Sequence, residues 1–285
     1  MDQSRDPIDP AAVEAALGRA DGWTVLHTDV TGSSNADLAL AAATRAAADR
    51  TVLITEEQTA GRGRMGRSWH APCGSSLMIS MLVRPGVSPS RRGWVGALLG
   101  LSLIEAVRGV AGLAAELKWP NDVLIGGRKC AGILAEAAGV AVVVGAGLNV
   151  TLSAAELPKV IGATPATSLH LEGARCTDRT RLAAALLDAF ADRLDRWYAA
   201  DGDVATAGLL HEYRTHCATL GSTVRVELPD GLRRTGTAVD VDDHGALVVR
   251  DAAGERHRFT AADVVHLRPA MAAASGRGAP RPPTS

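Results

Sequence analysis

The sequence predicts an α+β protein in which a mixed β-sheet packs with helices over residues 1–220 and a small β-barrel follows at 221–270. In the first part, apolar β-branched runs alternate with Ala-rich stretches of helical periodicity, which is typical of sheet and helix in one domain. In the second part the runs become short and the turns frequent, which favours a barrel. Apolar residues make up 47% of the 285-residue chain, enough for one large core and one small one.

The first elements are predicted from alternation and turn chemistry. They are, in order, a helix at 10–20, a strand at 23–28, an Ala-rich helix at 36–48 and a buried strand at 51–56. The stretch from Asp29 to Asn35 consists of turn-forming residues between the first strand and the second helix. Ser33, Ser34 or Asn35 can cap that helix, because each side chain can accept a bond from an unpaired backbone N–H.

Longer apolar runs predict the middle of the chain. They are a strand at 75–84, a helix at 90–109, strands at about 114–118, 121–125, 129–137 and 140–146, and helices at 179–200 and 203–217. The pair Gly126-Gly127 is a hairpin signal. The strands on either side of it are therefore expected to be antiparallel neighbours.

The C-terminal part is predicted to contain four short strands and a tail. The strands are 223–228, 235–241, 246–250 and 256–260, separated by the turns Pro229-Asp230-Gly231, Asp243-His244-Gly245 and Ala253-Gly254. Residues 271–285 are rich in Ala, Gly, Pro and Ser, which predicts a disordered tail. The stretch before the first predicted strand is too short for a helix-turn-helix module, so no operator binding is expected.

Charge and composition exclude several classes of protein. The net charge of −1 gives no broad electrostatic footprint for nucleic acid or an anionic membrane, so phosphate contacts would need a local cluster of cations. No apolar run is expected to reach the roughly 18 residues of a membrane span, and residues 1–10 are unlike a signal peptide. A cytoplasmic protein with no membrane or nucleic-acid partner is expected. The four cysteines are widely spaced, which predicts buried free thiols rather than a metal site.

The segment Gly61–Arg67 is the sharpest local signal. Its three glycines allow close approach of the backbone to a ligand, and its three arginines supply permanently charged, planar donors for phosphate or carboxylate. The spacing is not that of a P-loop, and the glycines do not open a helix as in a dinucleotide fingerprint. The alternative interpretation is a solvated, mobile basic loop, which an anion could still order.

Two lysines stand near turns of the predicted sheet. Lys118 precedes a proline-containing turn that runs to Asp122, and Lys129 begins the strand after Gly126-Gly127. A lysine at the mouth of a strand can reach a ligand above the sheet. The alternative is that both lysines pair with Asp122 and Glu136 on the surface. Further along, small residues at 145–147 lead to Asn149, which predicts either a plain strand end or a polar contact to a ligand.

Taken together, these segments resemble the biotin–protein ligase family, in the form without an N-terminal DNA-binding domain. The matching segments, in order, are Ser33–Asn35, Glu57–Ala60, Gly61–Trp69, Lys118–Asp122, Gly127–Leu134, Gly145–Asn149 and Ala166–Leu169. Each is modest alone, but their order and spacing are specific, and the resemblance covers roughly 22–270. It implies a class II synthetase-like biotin/lipoate ligase fold with an SH3-like C-terminal barrel.

The resemblance also implies a two-step reaction that uses biotin, ATP and Mg²⁺. Biotin and ATP would form biotinyl-5′-AMP, and a lysine of a biotin carboxyl carrier protein domain would then take the biotin. The positions implied to bind the ligands are Ser33, Ser34, Asn35, Gln58, Gly61, Arg62, Gly63, Arg64, Arg67, Trp69, Lys118, Asn121, Lys129, Gly132 and Asn149. Those implied to be catalytic are Lys129, Arg62 and Asp122.

Individual roles follow from the same resemblance. Residues 33–35 and Gln58 would bond the ureido ring of biotin, and the loop around Arg62 would close over the ligand. Lys129 would contact the biotin carboxylate and the α-phosphate, with Arg67 and Lys118 adding positive charge. Trp69 would offer a flat face for adenine, and Asn149 a polar contact to it. Because 157–170, where the family often folds a loop over adenine, carries no aromatic residue, Trp69 would cover adenine alone. Asp122 would orient the acceptor lysine.

Two other functions remain open at this point. A lipoate–protein ligase would share the fold and the chemistry, although the loop followed by Ser68-Trp69 and the C-terminal barrel favour biotin. A non-enzymatic biotin sensor is the second alternative, and the short N-terminal region speaks against it. The protein is expected to be a monomer or a weak homodimer.

Overall fold

The computed structural model describes residues 5–17, 22–158, 164–228, 232–260 and 263–266. Within these ranges the chain forms a seven-stranded sheet packed with helices, then a five-stranded antiparallel sheet of SH3-like type. The predicted α+β class is therefore confirmed. The predicted turn at 229–231, the tail at 271–285 and parts of 10–20 and 157–170 lie outside the described residues. The domain boundary at 221 stays a prediction.

The large sheet is mixed, with strand order β1-β2-β3-β7-β6-β5-β4. Its strands are β1 (Thr24–Thr31), β2 (Thr51–Gln58), β3 (Ser76–Val83), β4 (Ala115–Lys118), β5 (Asp122–Ile125), β6 (Arg128–Ala138) and β7 (Ala141–Asn149). Strands β1 and β2 are parallel, and every other neighbouring pair is antiparallel. The hairpin predicted at Gly126-Gly127 joins β5 to β6, and both glycines have the positive φ that its turn requires.

The first strand extends further than predicted. The turn expected from Asp29 onward begins only after Thr31, because Val30 and Thr31 pair in register with Glu57 and Gln58 of β2. Ladder pairing thus outweighs the turn preference of Asp29. The strand predicted at 140–146 likewise runs on to Asn149, through pairing with β3.

Five α-helices are described: α1 (Pro10–Ala15), α2 (Ser34–Ala43), α3 (Val95–Ala106), α4 (Arg179–Ala199) and α5 (Leu209–His216). Ser33 is the N-cap of α2, although its side chain makes no capping bond. The prediction of 36–48 was wrong at both ends, and α2 stops because Arg45 adopts a left-handed φ of 58°. The prediction of 10–20 was also too long, since the helix ends at Ala15.

The helix predicted at 203–217 starts only at Leu209. The side chain of Asp203 accepts bonds from the N–H groups of Ala205 and Thr206, which forms a turn instead of a helix start. The helix predicted at 90–109 is a composite, because a 3₁₀ turn at Pro89–Trp94 precedes α3 and a π turn at Val107–Ala111 follows it. Gly112, with a φ of 74°, ends this stretch.

The two faces of the large sheet differ in what covers them. Alternate residues such as Val52, Ile79 and Val144 join the main core beneath α1, α3 and α4. The residues between them point to the other face, where Leu53 and Val143 pack with Leu38 of α2. Because α2 covers only part of that face, the sheet beside its N-terminus can be reached by a ligand.

A buried ion pair joins the N-terminal segment, the sheet and α4. Arg179 Nη1 lies 2.5 Å from Glu56 Oε2, and their side chains are 3% and 5% exposed. The other oxygen of Glu56 accepts the N–H of Ile8 at 2.7 Å and lies 3.2 Å from His27 Nε2. Arg179 also donates to the carbonyls of Asp6 and Ser76. One carboxylate therefore links three separate parts of the chain.

The C-terminal sheet has the order β11-β10-β9-β8-β12. Its strands are β8 (Thr223–Glu227), β9 (Arg233–Val241), β10 (Leu247–Arg250), β11 (Arg256–Phe259) and β12 (Asp263–His266). Four strands were predicted, and β12 was missed because it is short and pairs back with β8 from the far end of the domain.

Two tryptophans of the large domain hold this C-terminal domain. Trp94 Nε1 donates to Asp243 O at 2.6 Å, and Trp119 Nε1 donates to Gly245 O at 2.9 Å. Both carbonyls belong to the turn between β9 and β10. The backbone N–H of Trp119 also donates to Thr219 at 3.0 Å. The turn that carries Lys118 is therefore braced by the C-terminal domain.

Two expectations from composition need correction. The helical stretch Pro89–Ala111 is long and apolar enough to cross a membrane, so the statement that no run reaches that length was wrong. In the most apolar 18 residues of this stretch, 67% are buried within the molecule, as in a core helix. All four cysteines are free, but only Cys130 and Cys217 are buried, since Cys73 is exposed and Cys176 half-buried.

Candidate active site

A cleft opens on the face of the sheet that carries α2, between the helix N-terminus and the segment Gly61–Trp69. Its lining is formed by Ser33, Ser34, Asn35, Gln58, Arg62, Gly63, Arg64, Arg67, Ser68, Trp69, Ile79, Ser80, Asn121, Asp122, Lys129, Gly132, Ile133, Leu134, Gly145, Ala146 and Gly147. All the sequence-predicted site residues are in this set except Gly61, Lys118 and Asn149. Arg62 and Lys129, which are far apart in sequence, face one cavity.

The floor of the cleft is a buried polar network. The backbone N–H of Ser34 donates to Gln58 Oε1 at 2.9 Å, and the hydroxyls of Ser34 and Ser80 lie 2.7 Å apart. Ser80 donates to Asn35 Oδ1 at 2.7 Å. These side chains come from α2, β2 and β3, so the sheet register fixes their spacing. Such a floor suits a ligand group that both donates and accepts hydrogen bonds.

The basic loop is exposed along much of its length but is closed by hydrogen bonds between its two sides. Gly63 N donates to Arg67 O at 2.7 Å, and Trp69 N donates to Gly61 O at 2.8 Å. Met65 sits at the tip of a short 3₁₀ turn with a φ of 55°. Gly61 does not line the cleft. A Cβ at that position would stand 2.3 Å from Trp69 O, so glycine is needed for closure of the loop.

The loop arginines reach neighbours on the sheet. Arg62 Nη2 lies 3.3 Å from Glu136 Oε2, and Arg64 Nη1 lies 3.3 Å from Asn121 Oδ1. Burial lowers the pKa of Arg64, Asp122 raises it, and the nearby charge of Arg67 lowers it. A partly buried cation with a second cation in its neighbourhood favours an anion nearby.

Lys129 lies in the wall of the cleft opposite the basic loop. Its Nζ is 2.6 Å from Asp122 Oδ1 and 5.9 Å from the centroid of the Trp69 ring. The sequence also allowed a lysine that pairs with Asp122, and Lys129 does form that ion pair. The pair is only 28% and 16% exposed, however, and it lines the cleft instead of the outer surface.

Lys118 and Asn149 lie behind the lining. Lys118 Nζ donates to Thr164 at 2.8 Å, and Asn149 Nδ2 donates to Thr167 O at 2.9 Å. Both hydrogen bonds hold the segment that follows residue 163 against the sheet. Burial is the main cause that lowers the pKa of Lys118, Asp122 raises it, and the charge of Lys129 lowers it. This part of the protein thus carries more positive charge than its carboxylates neutralise.

Trp69 lies in a slot made by two glycines that face each other across β6 and β7. Gly132 and Gly147 are register partners. A Cβ on Gly147 would stand 2.4 Å from Cε2 of Trp69, and one on Gly132 would stand 3.2 Å from its Cζ3. The indole N–H is buried and makes no bond within the described part of the chain. The absence of two side chains therefore lets an aromatic ring cover the sheet.

Gly147→Ala is expected to push the indole of Trp69 out of this slot, because the new methyl group would overlap a rigid ring. Quenching of tryptophan fluorescence by acrylamide should increase, and the increase should vanish in the Trp69→Phe background. Gly109→Ala, where an added Cβ meets nothing within 4 Å, is the matched control. Equal quenching of the Gly147→Ala variant and the wild type would refute this account of the slot.

Several lining residues were missed as site residues. Ser80 lies in a strand that is buried along its length, so its sequence context resembles a core position. Gly145 sits where a Cβ would stand 2.3 Å from Asn35 Oδ1. Its place in the segment that ends at Asn149 was the available signal. Ile79, Ile133, Leu134 and Ala146 line the cleft without any polar signal in the sequence.

Comparisons with known proteins agree with this geometry. Residues 31–150 match the model of the "Biotin/lipoate A/B protein ligase family", and residues 219–267 match the "Biotin protein ligase C terminal domain". The first match contains the floor, the basic loop and both lysines. The second coincides with the small antiparallel domain.

Individual relatives point the same way. The biotin–[acetyl-CoA-carboxylase] ligase of Mycobacterium tuberculosis is 41% identical over 94% of this chain and 98% of its own length. The enzyme of the same name from Paracoccus denitrificans is 35% identical over 74% of this chain and 88% of its own. The Aquifex aeolicus biotin protein ligase in complex with biotin and ATP shares the fold, with a TM-score of 0.72 at 24% identity over 86% of this chain and 99% of that one. The chain described here belongs to the biotin protein ligase family of enzymes.

Proposed function

We propose that this protein is an ATP-dependent ligase that joins biotin to a lysine of an acceptor protein. In the first step a biotin carboxylate oxygen attacks the α-phosphorus of ATP, which yields biotinyl-5′-AMP and pyrophosphate. In the second step the lysine amine attacks the acyl carbon, and AMP leaves. The observation that carries the proposal is the convergence of Arg62, Arg64, Arg67 and Lys129 on one cleft with a polar floor.

The polar floor supports recognition of the ureido ring. Ser34, Asn35 and Ser80 present hydroxyl and amide groups that are nearly excluded from solvent, with exposed fractions of 3%, 5% and 1%. A ureido group carries one strong acceptor and two donors, which such a floor can satisfy. Leu134 supplies apolar surface for the rest of the ligand.

The cations support the adenylation step. A carboxylate and a polyphosphate repel each other, so the site must supply positive charge where they meet. Lys129 faces the loop arginines across the cleft, and its fixed charge would oppose the negative charge that grows on the α-phosphate. Within the described ranges no group of three metal-ligating side chains occurs. Mg²⁺ would therefore enter with ATP, held mainly by phosphates and water.

The loop and Trp69 support retention of the adenylate. An acyl-adenylate hydrolyses readily, and a loop folded over it would exclude water until the acceptor docks. Asp122, freed from Lys129 once a phosphate competes for that lysine, could accept a proton from the incoming amine. The acceptor that we propose is a biotin carboxyl carrier protein domain; the M. tuberculosis relative carries acetyl-CoA carboxylase in its name.

Incubation with labelled biotin, MgATP and a biotin carboxyl carrier domain tests the function. We expect label on the acceptor lysine, and no transfer when ATP is omitted or the lysine is replaced. Parallel reactions with lipoate distinguish the related ligase. Transfer of lipoate without transfer of biotin would overturn the proposal, and biotin binding without any transfer would support a sensor instead.

A further inference from the structure

Glu136 lies beside the cleft and is not among the residues assigned to biotin, ATP or catalysis. It belongs to β6, on the same face of the sheet as Gly132 and Leu134, with its side chain 30% exposed. One of its carboxylate oxygens, Oε2, accepts from Asn35 Nδ2 at 2.9 Å and from Arg62 Nη2 at 3.3 Å. A residue of the pocket floor and a residue of the basic loop thus share a single acceptor atom.

The first contact determines which way the amide of Asn35 points. Its Nδ2 donates to Glu136 and to Leu134 O, at 2.9 and 3.1 Å. A carboxylate can only accept, so the NH₂ group must face Glu136. The amide oxygen is then turned to Ser80, whose hydroxyl donates to it at 2.7 Å.

The orientation of the Asn35 amide also fixes the direction of the hydrogen bond between Ser80 and Ser34. A hydroxyl has one proton, so Ser80, having donated to Asn35, must accept in its 2.7 Å contact with Ser34. Ser34 is then the donor of that pair, and its single hydroxyl proton is shared with the longer 3.2 Å contact to Gln58 Oε1. Glu136, together with the carbonyl of Leu134, therefore fixes which floor atoms donate and which accept.

The second contact restrains the loop. Arg62 belongs to the bridge between the two sides of the loop, opposite Ser68. Its pair with Glu136 is 47% and 30% exposed, so its stabilisation is modest. The pair still holds the loop over the floor, and the same carboxylate contacts Asn35 of that floor.

We propose that Glu136 is a positioning residue that orients the hydrogen bonds of the pocket floor and holds Arg62 above it. Floor and loop are then held in position together before a ligand binds. The part that concerns biotin rests on the proposed function. The restraint on the loop does not, because it involves only residues of this chain.

Limited trypsin digestion of the ligand-free protein tests the loop. Cleavage after Arg62, Arg64 and Arg67, followed by mass spectrometry, should be faster in Glu136→Gln by up to about five-fold, the range for an exposed ion pair. Glu116→Leu, which changes an exposed glutamate of β4, is the control and should behave as the wild type. Cleavage of Glu136→Gln at the wild-type rate would overturn the proposal, whether or not the protein binds biotin.

Biotin titration calorimetry tests the floor. Glu136→Leu should weaken binding about ten-fold, because it leaves one of the two amide protons of Asn35 without an acceptor while the other still bonds Leu134 O. Glu136→Gln, whose amide oxygen can still accept from Asn35, should stay within about three-fold of the wild type. In an Asn35→Ala background, Glu136→Leu should have little further effect. Equal effects in both backgrounds would show that Glu136 does not act through Asn35. A wild type that does not bind biotin would contradict the proposed function instead.

Discussion

Replacement of Lys129 by alanine is expected to slow formation of the adenylate about 100- to 1000-fold, the range for loss of one preorganised charge at a reacting centre. Lys129 Nζ faces the cleft, 2.6 Å from Asp122 Oδ1. Its loss removes a cation from the cleft and leaves Asp122 without its ion-pair partner, close to the proposed phosphate site. Single-turnover assays of biotinyl-AMP measure the rate separately from transfer.

Three further variants identify the cause of this loss. Lys129→Arg should recover part of the rate, since it restores the charge. Lys129→Ala with Asp122→Asn should recover part of it if repulsion by Asp122 contributes. Arg250→Ala, on an exposed position of β10, removes a charge outside the cleft and should leave the rate unchanged. Near-normal adenylation by Lys129→Ala would remove this lysine from its assigned role.

Glu56→Ala is expected to lower the free energy of unfolding by about 3–5 kcal/mol, the range for a buried ion pair that loses one partner. Arg179 would remain 3% exposed without its carboxylate, and the N–H of Ile8 would lose its acceptor. Urea denaturation at neutral pH measures the change. The exposed pair between Arg50 and Asp195 is the control, and Asp195→Asn should cost about 1 kcal/mol or less. Equal costs for the two variants would contradict the structural role of Glu56.

The same pair predicts a dependence on pH. Burial alone would raise the pKa of Glu56, but the bonds from Ile8, Arg179 and His27 outweigh it, so the folded-state pKa lies below the ordinary value of 4.5. The stabilisation is therefore complete above that value and is lost as the pH falls through the lower folded-state pKa. The stability difference between the wild type and Glu56→Ala should shrink in acid. A difference that grows in acid would contradict this assignment.

The sequence predicted the elements best where the signal is local. The Gly126-Gly127 hairpin and the apolar runs of β2, β3 and β6 carry their own periodicity or turn chemistry. Predictions failed where distant parts of the chain decide the outcome. Strand β1 continues past Asp29 because of pairing with β2, and β12 was missed because it pairs back with β8. The late start of α5 has a local cause instead, the side-chain turn that Asp203 forms.

The site residues also divide into those with a local sequence signal and those that depend on distant parts of the chain. The residues of the basic loop and Lys129 could be identified because charge and glycine are visible in the sequence, and their segments resemble a known family. Ser80 and Glu136 could not be assigned to the floor, since each stands in a strand whose facing side depends on register. Likewise, the slot for Trp69 exists because Gly132 and Gly147 are cross-strand partners, and only the sheet topology brings them together.

Exchange between pyrophosphate and ATP, measured with no acceptor protein present, tests the central claim most directly. If the converging cations serve to join a carboxylate to the α-phosphate, labelled pyrophosphate should enter ATP only when biotin is present. Lys129→Ala should abolish nearly all of that exchange. Absence of biotin-dependent exchange in a folded protein that binds both biotin and ATP would contradict the account.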